Sequence, residues 1–264
     1  MENNLLVKGM IVIEKLAILG PQSIEDLYKE TVISRSSIYR ILCTLENLGY
    51  VIRKRNEAED IWKLDLKFLS LSSHILSRID LKTEIEDILI KLADDTKEIV
   101  QLGVLYEGKV LILDVIQRYK SLVSVAQVGE LLDINICAAG LVLGAYLKEE
   151  ELDLLLKKIE LPKHTKFTIT DPNRLKAELR KVRMRGYSFD NQYYAIAHRC
   201  IGAPVFDYTG RVIAAINISG HMKTISDEKI EELAEIVKQR AGEASIKMGY
   251  DEKNIKNRLQ CKKI

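Results

Sequence analysis

A short stretch near the C-terminal third, SFDNQYYAIAHRC, gathers the side chains best suited to chemistry. His198 and Cys200 are two residues apart, so on a strand they share one face and can meet. A thiol beside an imidazole is the pairing of a cysteine nucleophile with its base. No separate orienting residue or oxyanion motif accompanies them, so no enzyme activity is expected. With Asp190 the pair also offers a possible metal-donor set, but two-residue spacing on a strand is a weak metal signal. No metal site and no cofactor are expected. A lone buried cysteine more often packs, and a histidine more often is a satisfied or exposed side chain than a ligand.

Two further groups suit an anionic or hydroxylated small molecule. Asn217 and Ser219 alternate with Ile216 and Ile218. The polar pair therefore faces one side of its strand and the isoleucines the other. Ala138, Ala139 and Gly140 open a helix, where small residues leave backbone N–H groups accessible to an anion. Asp190 is expected at the edge, fixing a hydroxyl or a backbone N–H.

A third constellation lies near the N-terminus. Ser34, Arg35, Ser36, Ser37, Tyr39, Arg40 and Thr44 form a short polar and basic face, while Ile38, Ile41, Leu42 and Leu45 recur at helical spacing. Such a helix can bury one stripe and present the other to the DNA major groove, where Arg pairs with guanine or phosphate and hydroxyls reach phosphates or base edges. The competing reading is a small bundle with a solvated face. Arg53, Lys54 and Arg55 suit phosphates from a hairpin tip, although Glu57, Glu59 and Asp60 follow at once. A charged hairpin edge that deters strand pairing is the alternative there.

The elements that would position these groups follow from periodicity. An amphipathic helix over 5–19, with Met10, Ile13, Leu16 and Ala17 on one face, stops at Gly20-Pro21. Ser23 caps a helix over 24–30, with Asp26 completing a capping box, and Ser23 also counts among the DNA-facing candidates. Ser34 caps the third helix, and Gly49 ends it in a left-handed conformation. Strands at 50–53 and 61–64 complete helix, helix, turn, helix, hairpin, the layout of a winged helix-turn-helix. Beyond residue 80, helices at 80–97, 138–147, 149–159, 172–185 and 227–248 alternate with strands at 99–106, 110–117, 122–126, 187–190, 199–207 and 212–219. The fold class is α+β: a winged helix-turn-helix over 1–64, a linker helix over 65–79, a mixed helix-and-strand domain over 80–249, which the resemblance given below implies to be effector-binding, and a basic tail over 250–264.

Composition sets the outer limits. The 264 residues are 47% hydrophobic and 30% charged, which suits one large or two ordinary globular domains. Lys plus Arg total 40 and Asp plus Glu 38, a net charge of +2, so any nucleic-acid surface is a local patch. Cysteines at 43, 137, 200 and 261 form no CxxC pair, which excludes a disulfide scaffold or zinc module. No apolar run reaches the about 18 residues of a membrane span, and the first residues lack a signal-peptide pattern. A soluble, reduced, cytoplasmic protein with no membrane partner is expected.

Two segments carry a family resemblance. SIEDLYKETVISRSSIYRILCTLENLGYV resembles the winged-helix reader of IclR-family transcriptional regulators. RGYSFDNQYYAIAHRCIGAPVFDYTGRVIAAINISG resembles that family's C-terminal signature, and the similarity spans roughly residues 5–248. The resemblance implies a GAF-like effector domain, a twisted antiparallel sheet flanked by helices, whose pocket takes a small organic acid or related catabolite. Carried over residue by residue, the pocket positions are Ala138 and Ala139 in INICAAG, Asp190 in FDNQ, His198 and Cys200 in HRC, and Asn217 and Ser219 in NIS. Relatives often carry His-Ala-Thr or His-Ala-Ser where Asn135-Ile136-Cys137 stands, Lys at Leu141, Ser at Asn217 and an apolar residue at His198. The scaffold is kept and the pocket chemistry altered. The implied function is a repressor of a catabolic operon, a homodimer or dimer of dimers on a pseudo-palindromic operator in double-stranded DNA, controlled by a small carboxylate. The leading alternatives are an activator of the same architecture and, more remotely, a GAF-like enzyme using Cys200.

Overall fold

The computed structural model describes residues 4–55, 59–76 and 80–252. The chain divides between Ile79 and Asp80 into two compact units.

In the first unit, α1 (Asn4–Leu19), α2 (Ile24–Glu30) and α3 (Arg35–Asn47) precede a hairpin of β1 (Val51–Lys54) and β2 (Ile61–Leu64). Val12, Leu16, Leu27, Ile38, Ile41, Leu42, Val51 and Trp62 form one core. The buried stripe of α1 is Val12 and Leu16, whereas Met10 and Ala17 face outward and Ile13 is half-buried. This corrects the expected face: α1 is apolar around most of its circumference, so spacing alone does not choose a side. The Ser23 capping box forms as expected, with Asp26 N–H donating to Ser23 Oγ at 3.1 Å and Ser23 N–H donating to Asp26 Oδ2 at 3.3 Å. Ser34 occupies the start of α3, but its side chain makes no cap bond and turns instead to Ser37 Oγ at 2.9 Å. Gly49 ends the turn after α3 at φ +75°. Helix α4 (Lys67–Leu76) follows. Glu57 at the wing tip, residues 77–79 of the linker and the tail from 253 lie outside the described residues.

The second unit is a six-stranded antiparallel sheet in the order β5-β4-β3-β8-β7-β6, formed by β3 (Ile99–Tyr106), β4 (Lys109–Ile116), β5 (Leu131–Asp133), β6 (Ser188–Asn191), β7 (His198–Phe206) and β8 (Val212–His221). α5 (Leu81–Thr96) and α9 (Ile230–Lys247) contribute to one core with Val100, Leu102, Ile201, Ile216 and Ile218. α6 (Ala138–Ala145) and α8 (Pro172–Arg185) contribute to another with Val110, Ile112 and Ala215. α7 (Glu149–Lys158) connects those two helices and has no fully buried residue. Alternation along β8 thus sends Ile216 and Ile218 to one face and Asn217 and Ser219 to the other.

Two expectations need correction. Residues 122–126 form no strand. The edge of β4 is taken further along the chain, by Glu130 carbonyl to Ile112 N–H at 3.0 Å and by β5, so the valines before it find no free partner. The final helix starts late: Ser226 precedes a 3-10 turn over Asp227–Lys229 without a side-chain cap bond, and α9 begins at Ile230.

Candidate functional site

In the first unit, α3 turns the predicted polar face to solvent. Ser34, Arg35, Ser36, Tyr39, Arg40 and Thr44 are exposed, and Ser37 is half-buried. Their engagements differ. Arg35 donates to Glu25 through Nε at 2.7 Å and Nη2 at 2.8 Å, and its guanidinium lies 3.6 Å from the Tyr28 ring centroid. That pairing raises the Arg35 pKa and lowers that of Glu25. Thr44 Oγ1 donates to Arg40 carbonyl at 2.8 Å, the usual local bond of a helical threonine. On the wing, Arg53 pairs with Asp60 and stacks near Trp62, whereas Lys54 and Arg55 are exposed. Ser23 is 1% exposed and committed to its capping box, so it belongs to the scaffold and not to the surface.

In the second unit the predicted polar residues meet below the surface. Asp190, His198, Cys200, Asn217 and Ser219 are all buried. Asn217 Nδ2 donates to Gln101 Oε1 at 3.2 Å and to Ser219 Oγ at 3.2 Å, and Ser219 Oγ donates to Gln101 Oε1 at 3.1 Å. Cys200 Sγ lies 3.1 Å from Ser219 Oγ and 3.7 Å from His198 Nε2. Asp190 Oδ1 accepts from Tyr193 N–H at 2.6 Å, while Oδ2 is buried without a hydrogen-bond partner. Burial raises the Asp190 carboxyl to about 7 and lowers the His198 imidazole to about 4. The Cys200 thiol is pushed well above its ordinary range by the same desolvation, with the Asp190 charge adding to it.

Gln101, Asp190, His198, Cys200 and Asn217 border a cavity of about 20 Å³, lined also by Val125, Ala126, Leu132, Cys137 and Tyr194. That space suits about one water molecule. Gln101 Nε2 donates to Ala126 carbonyl at 2.9 Å, so the polar cluster also holds the segment before β5 against the sheet.

Ala138, Ala139 and Gly140 stand elsewhere. The Gly140 N–H is taken by the Cys137 sulfur at 3.4 Å, and a Cβ at Gly140 would fall 2.4 Å from the Ile134 carbonyl oxygen. The Cβ of Ala138 lies 3.3 Å from where a Cβ at Gly202 would sit, and that of Ala139 lies 3.4 Å from the same point at Gly103. Small residues here let α6 sit close on the sheet. Cys137, whose sulfur caps the helix start, lines the cavity, while Ala138, Ala139 and Gly140 pack against the sheet and do not line it.

Sequence reasoning missed Gln101, Tyr194 and the segment carrying Val125 and Ala126. Gln101 had a signal: it is the one polar residue in IVQLGV, and it pairs in register with Asn217. Knowing that pairing requires the sheet order, in which β3 and β8 are neighbours.

A winged helix-turn-helix together with a helix-flanked antiparallel sheet that buries a polar cavity defines a ligand-sensing transcriptional regulator. Residues 73–246 match the family described as bacterial transcriptional regulator IclR, C-terminal. The chain is 32% identical over 227 residues to the HTH-type transcriptional regulator KdgR of Escherichia coli, covering 86% of each. It is 29% identical over 247 residues to the acetate operon repressor of Salmonella typhimurium, covering 92% of this chain and 89% of that one. The crystal structure of Thermotoga maritima IclR superposes with a TM-score of 0.63 at 31% identity, over 94% of this chain and all of that one. The Agobacterium tumefaciens repressor BlcR shares the fold, with a TM-score of 0.78 at 24% identity over 95% and 99% of the two chains. The chain belongs to the IclR family of transcriptional regulators. Among the described residues no helix is long and apolar enough to cross a membrane.

Proposed function

We propose that the chain represses a catabolic operon and releases or repositions on its operator when a small carboxylate enters the cavity of the second unit. The observation that carries this is the buried Gln101–Asn217–Ser219 cluster facing Asp190. Those three side chains satisfy one another, whereas Asp190 Oδ2 across the cavity is buried without a partner, a cost of about 1–3 kcal/mol that a ligand would relieve. The repressor names of its relatives support the sign of control. At about 20 Å³ the cavity is too small for a carboxylate of several carbons, so binding requires the segments carrying Ala126 and Tyr194 to open. The effector then acts by preferring one of two arrangements, a coupling typically worth about 1–3 kcal/mol.

The reader in this proposal is α3, with Arg40 and the serines toward the major groove and Lys54 and Arg55 on phosphates. A single winged helix reads too few bases, so the chain acts as a homodimer or dimer of dimers on a pseudo-palindrome. Exposed apolar residues support assembly: Leu66 is 76% and Leu69 64% exposed, and Leu5, Leu6 and Met10 of α1 are exposed as well. A chain that sediments as a monomer at micromolar concentration and protects one half-site removes this part. Sensing is favoured over catalysis because burial keeps the Cys200 thiol neutral, the wrong state for a nucleophile.

The test is a melting-temperature screen against small carboxylates and sugar acids, since a native-state binder raises the midpoint. It is followed by Asn217→Val combined with Ser219→Ala. Loss of effector response with operator binding retained is the expected result. A full response in that folded variant assigns both residues to packing.

A further inference from the structure

The second unit treats its arginines in two ways. Arg118, Arg185, Arg199 and Arg240 each hold a carboxylate, that of Asp94, Glu178, Asp227 and Asp95 in turn. Arg174, Arg180, Arg183 and Arg211 hold none among the described residues. Of these four, Arg180, Arg183 and Arg211 line two cavities that share Arg183 and Leu147 in their walls. The larger, about 300 Å³, lies between the end of α6, the start of α7, α8 and the turn from β7 to β8. The smaller, about 150 Å³, runs on along α8 past Lys176 and Arg180. Neither shares a residue with the cavity beside Asp190.

Like charges gather here without their counter-charges. In the larger cavity Lys148, Arg183 and Arg211 face one carboxylate, Glu151, which already accepts the Lys148 N–H at 3.2 Å. The acid nearest Arg211 along the chain is spent on the turn: Asp207 Oδ1 accepts from Thr209 N–H at 2.8 Å and from Arg211 N–H at 3.1 Å. In the smaller cavity Lys176 pairs with Asp153, while Arg180 and Arg183 face Glu149. Arg183 is placed by a ring and not by an acid. Its guanidinium lies 5.8 Å from the Tyr146 ring centroid, and Tyr146 is itself set edge-on against Phe206 at 5.4 Å. Such a contact positions a guanidinium and leaves its N–H donors free.

We propose that this cleft is a second small-molecule site, taking a small phosphorylated organic anion with its phosphate on Arg183 and Arg211 and its organic body against Tyr146, Leu147 and Val212. Guanidinium forks pair bidentately with phosphate oxygens, and cations gathered on one concave wall suit a charge near −2. The larger volume stands at the lower end of small-molecule sites, about 300–1,000 Å³, so the occupant is a compact monophosphate. A closed concavity of that size fits such a molecule better than a nucleic-acid backbone, which follows a continuous groove or stripe of charge. The site does not rest on a carboxylate entering the cavity beside Asp190.

The full chain is titrated calorimetrically with phenyl phosphate and with inorganic phosphate at fixed ionic strength. Expected are one equivalent of phenyl phosphate per chain and an affinity at least about tenfold above that of inorganic phosphate, because the ring buries apolar surface. Arg183→Gln and Arg211→Gln should each weaken phenyl phosphate at least about tenfold, the loss of a charge-assisted pair. Both side chains are exposed, so the melting temperature should stay unchanged. Arg174→Gln removes the same charge from outside the cleft and should leave binding intact, as should Asn217→Val combined with Ser219→Ala. Overturning results are no saturable binding, no advantage over inorganic phosphate, undiminished binding in either cleft variant, an equal loss in Arg174→Gln, or a loss confined to the folded Asn217 and Ser219 variant. An Arg183→Gln loss for non-operator duplex DNA as large as that for phenyl phosphate also overturns the site and assigns these arginines to the DNA backbone. A failed carboxylate screen leaves these readouts untouched, so the two proposals fall separately.

Discussion

The proposed reader and the proposed sensor use polar residues in opposite ways. On α3 the polar groups stand on the outside of a helix whose inner stripe, Ile38, Ile41 and Leu42, holds the fold. Function and folding occupy different faces, so each can be altered alone. In the sensor, Asn217 and Ser219 alternate with Ile216 and Ile218 on one strand, and all four are buried. Their partner Gln101 sits on the neighbouring strand and also anchors Ala126. There the same hydrogen bonds serve the fold and the cavity. A surface that meets DNA forms its bonds only when DNA arrives, whereas a buried cluster must be satisfied at all times.

This contrast gives its largest effect in the reader's core. Ile38 is 0% exposed, and Ile38→Ala should cost about 2–5 kcal/mol, enough to unfold a small domain. Urea unfolding should then show loss of operator binding while effector-domain near-ultraviolet signals persist. A fully folded, DNA-binding Ile38→Ala variant breaks the separation of faces. One step smaller is the outer face. Arg40→Ala should weaken binding to a selected operator by about 1–3 kcal/mol with the melting temperature unchanged. Arg35→Ala should weaken it less, because Arg35 must first give up Glu25 and Tyr28. Unchanged gel-shift affinity for Arg40→Ala takes that residue out of the reader.

The difference between the regions also explains what the sequence revealed. The stripe of α3, the Ser23 box and the Gly49 turn are local, set by residues within one or two turns of helix. The alternation of Asn217 and Ser219 is local too. The stripe of α1 was ambiguous because Leu5, Leu6, Met10 and Ile11 are exposed apolar residues that periodicity cannot separate from Val12 and Leu16. The residues from Leu122 to Ala126 read as a strand, but a strand exists only where an edge is free, and β5 and Glu130 occupy that edge. Ala138, Ala139 and Gly140 read as an anion cradle because small residues fit either a ligand or a close helix–sheet approach. Only the position of Ile134 and the glycines of β3 and β7 distinguishes the two. Gln101 and the convergence of Asp190 with Cys200 depend on pairings that no single segment encodes.

The smallest effect in the native chain should be its pH dependence, and it probes the sensor alone. Asp190 titrates near 3.8 when exposed and at about 7 when folded. Between those values the folded chain holds a proton that the unfolded chain has released, so stability falls as pH rises from about 4 to 7. His198 titrates near 6.5 when exposed and at about 4 when folded. There the unfolded chain holds the extra proton, so stability rises as pH rises from about 4 to 6.5. The windows overlap and the slopes oppose, which leaves the native chain nearly flat from this pair. Removing one member exposes the other. Asp190→Asn should become more stable than the native trend as pH rises through 4–6.5, and His198→Gln should become less stable through 4–7. Subtracting the native curve removes other buried groups such as Glu98, whose pKa burial also raises. Urea midpoints taken across that range measure both slopes. Parallel curves for the native chain and the two variants would mean that water reaches the cluster, and that the sensor is no more buried, in effect, than the outer face of α3.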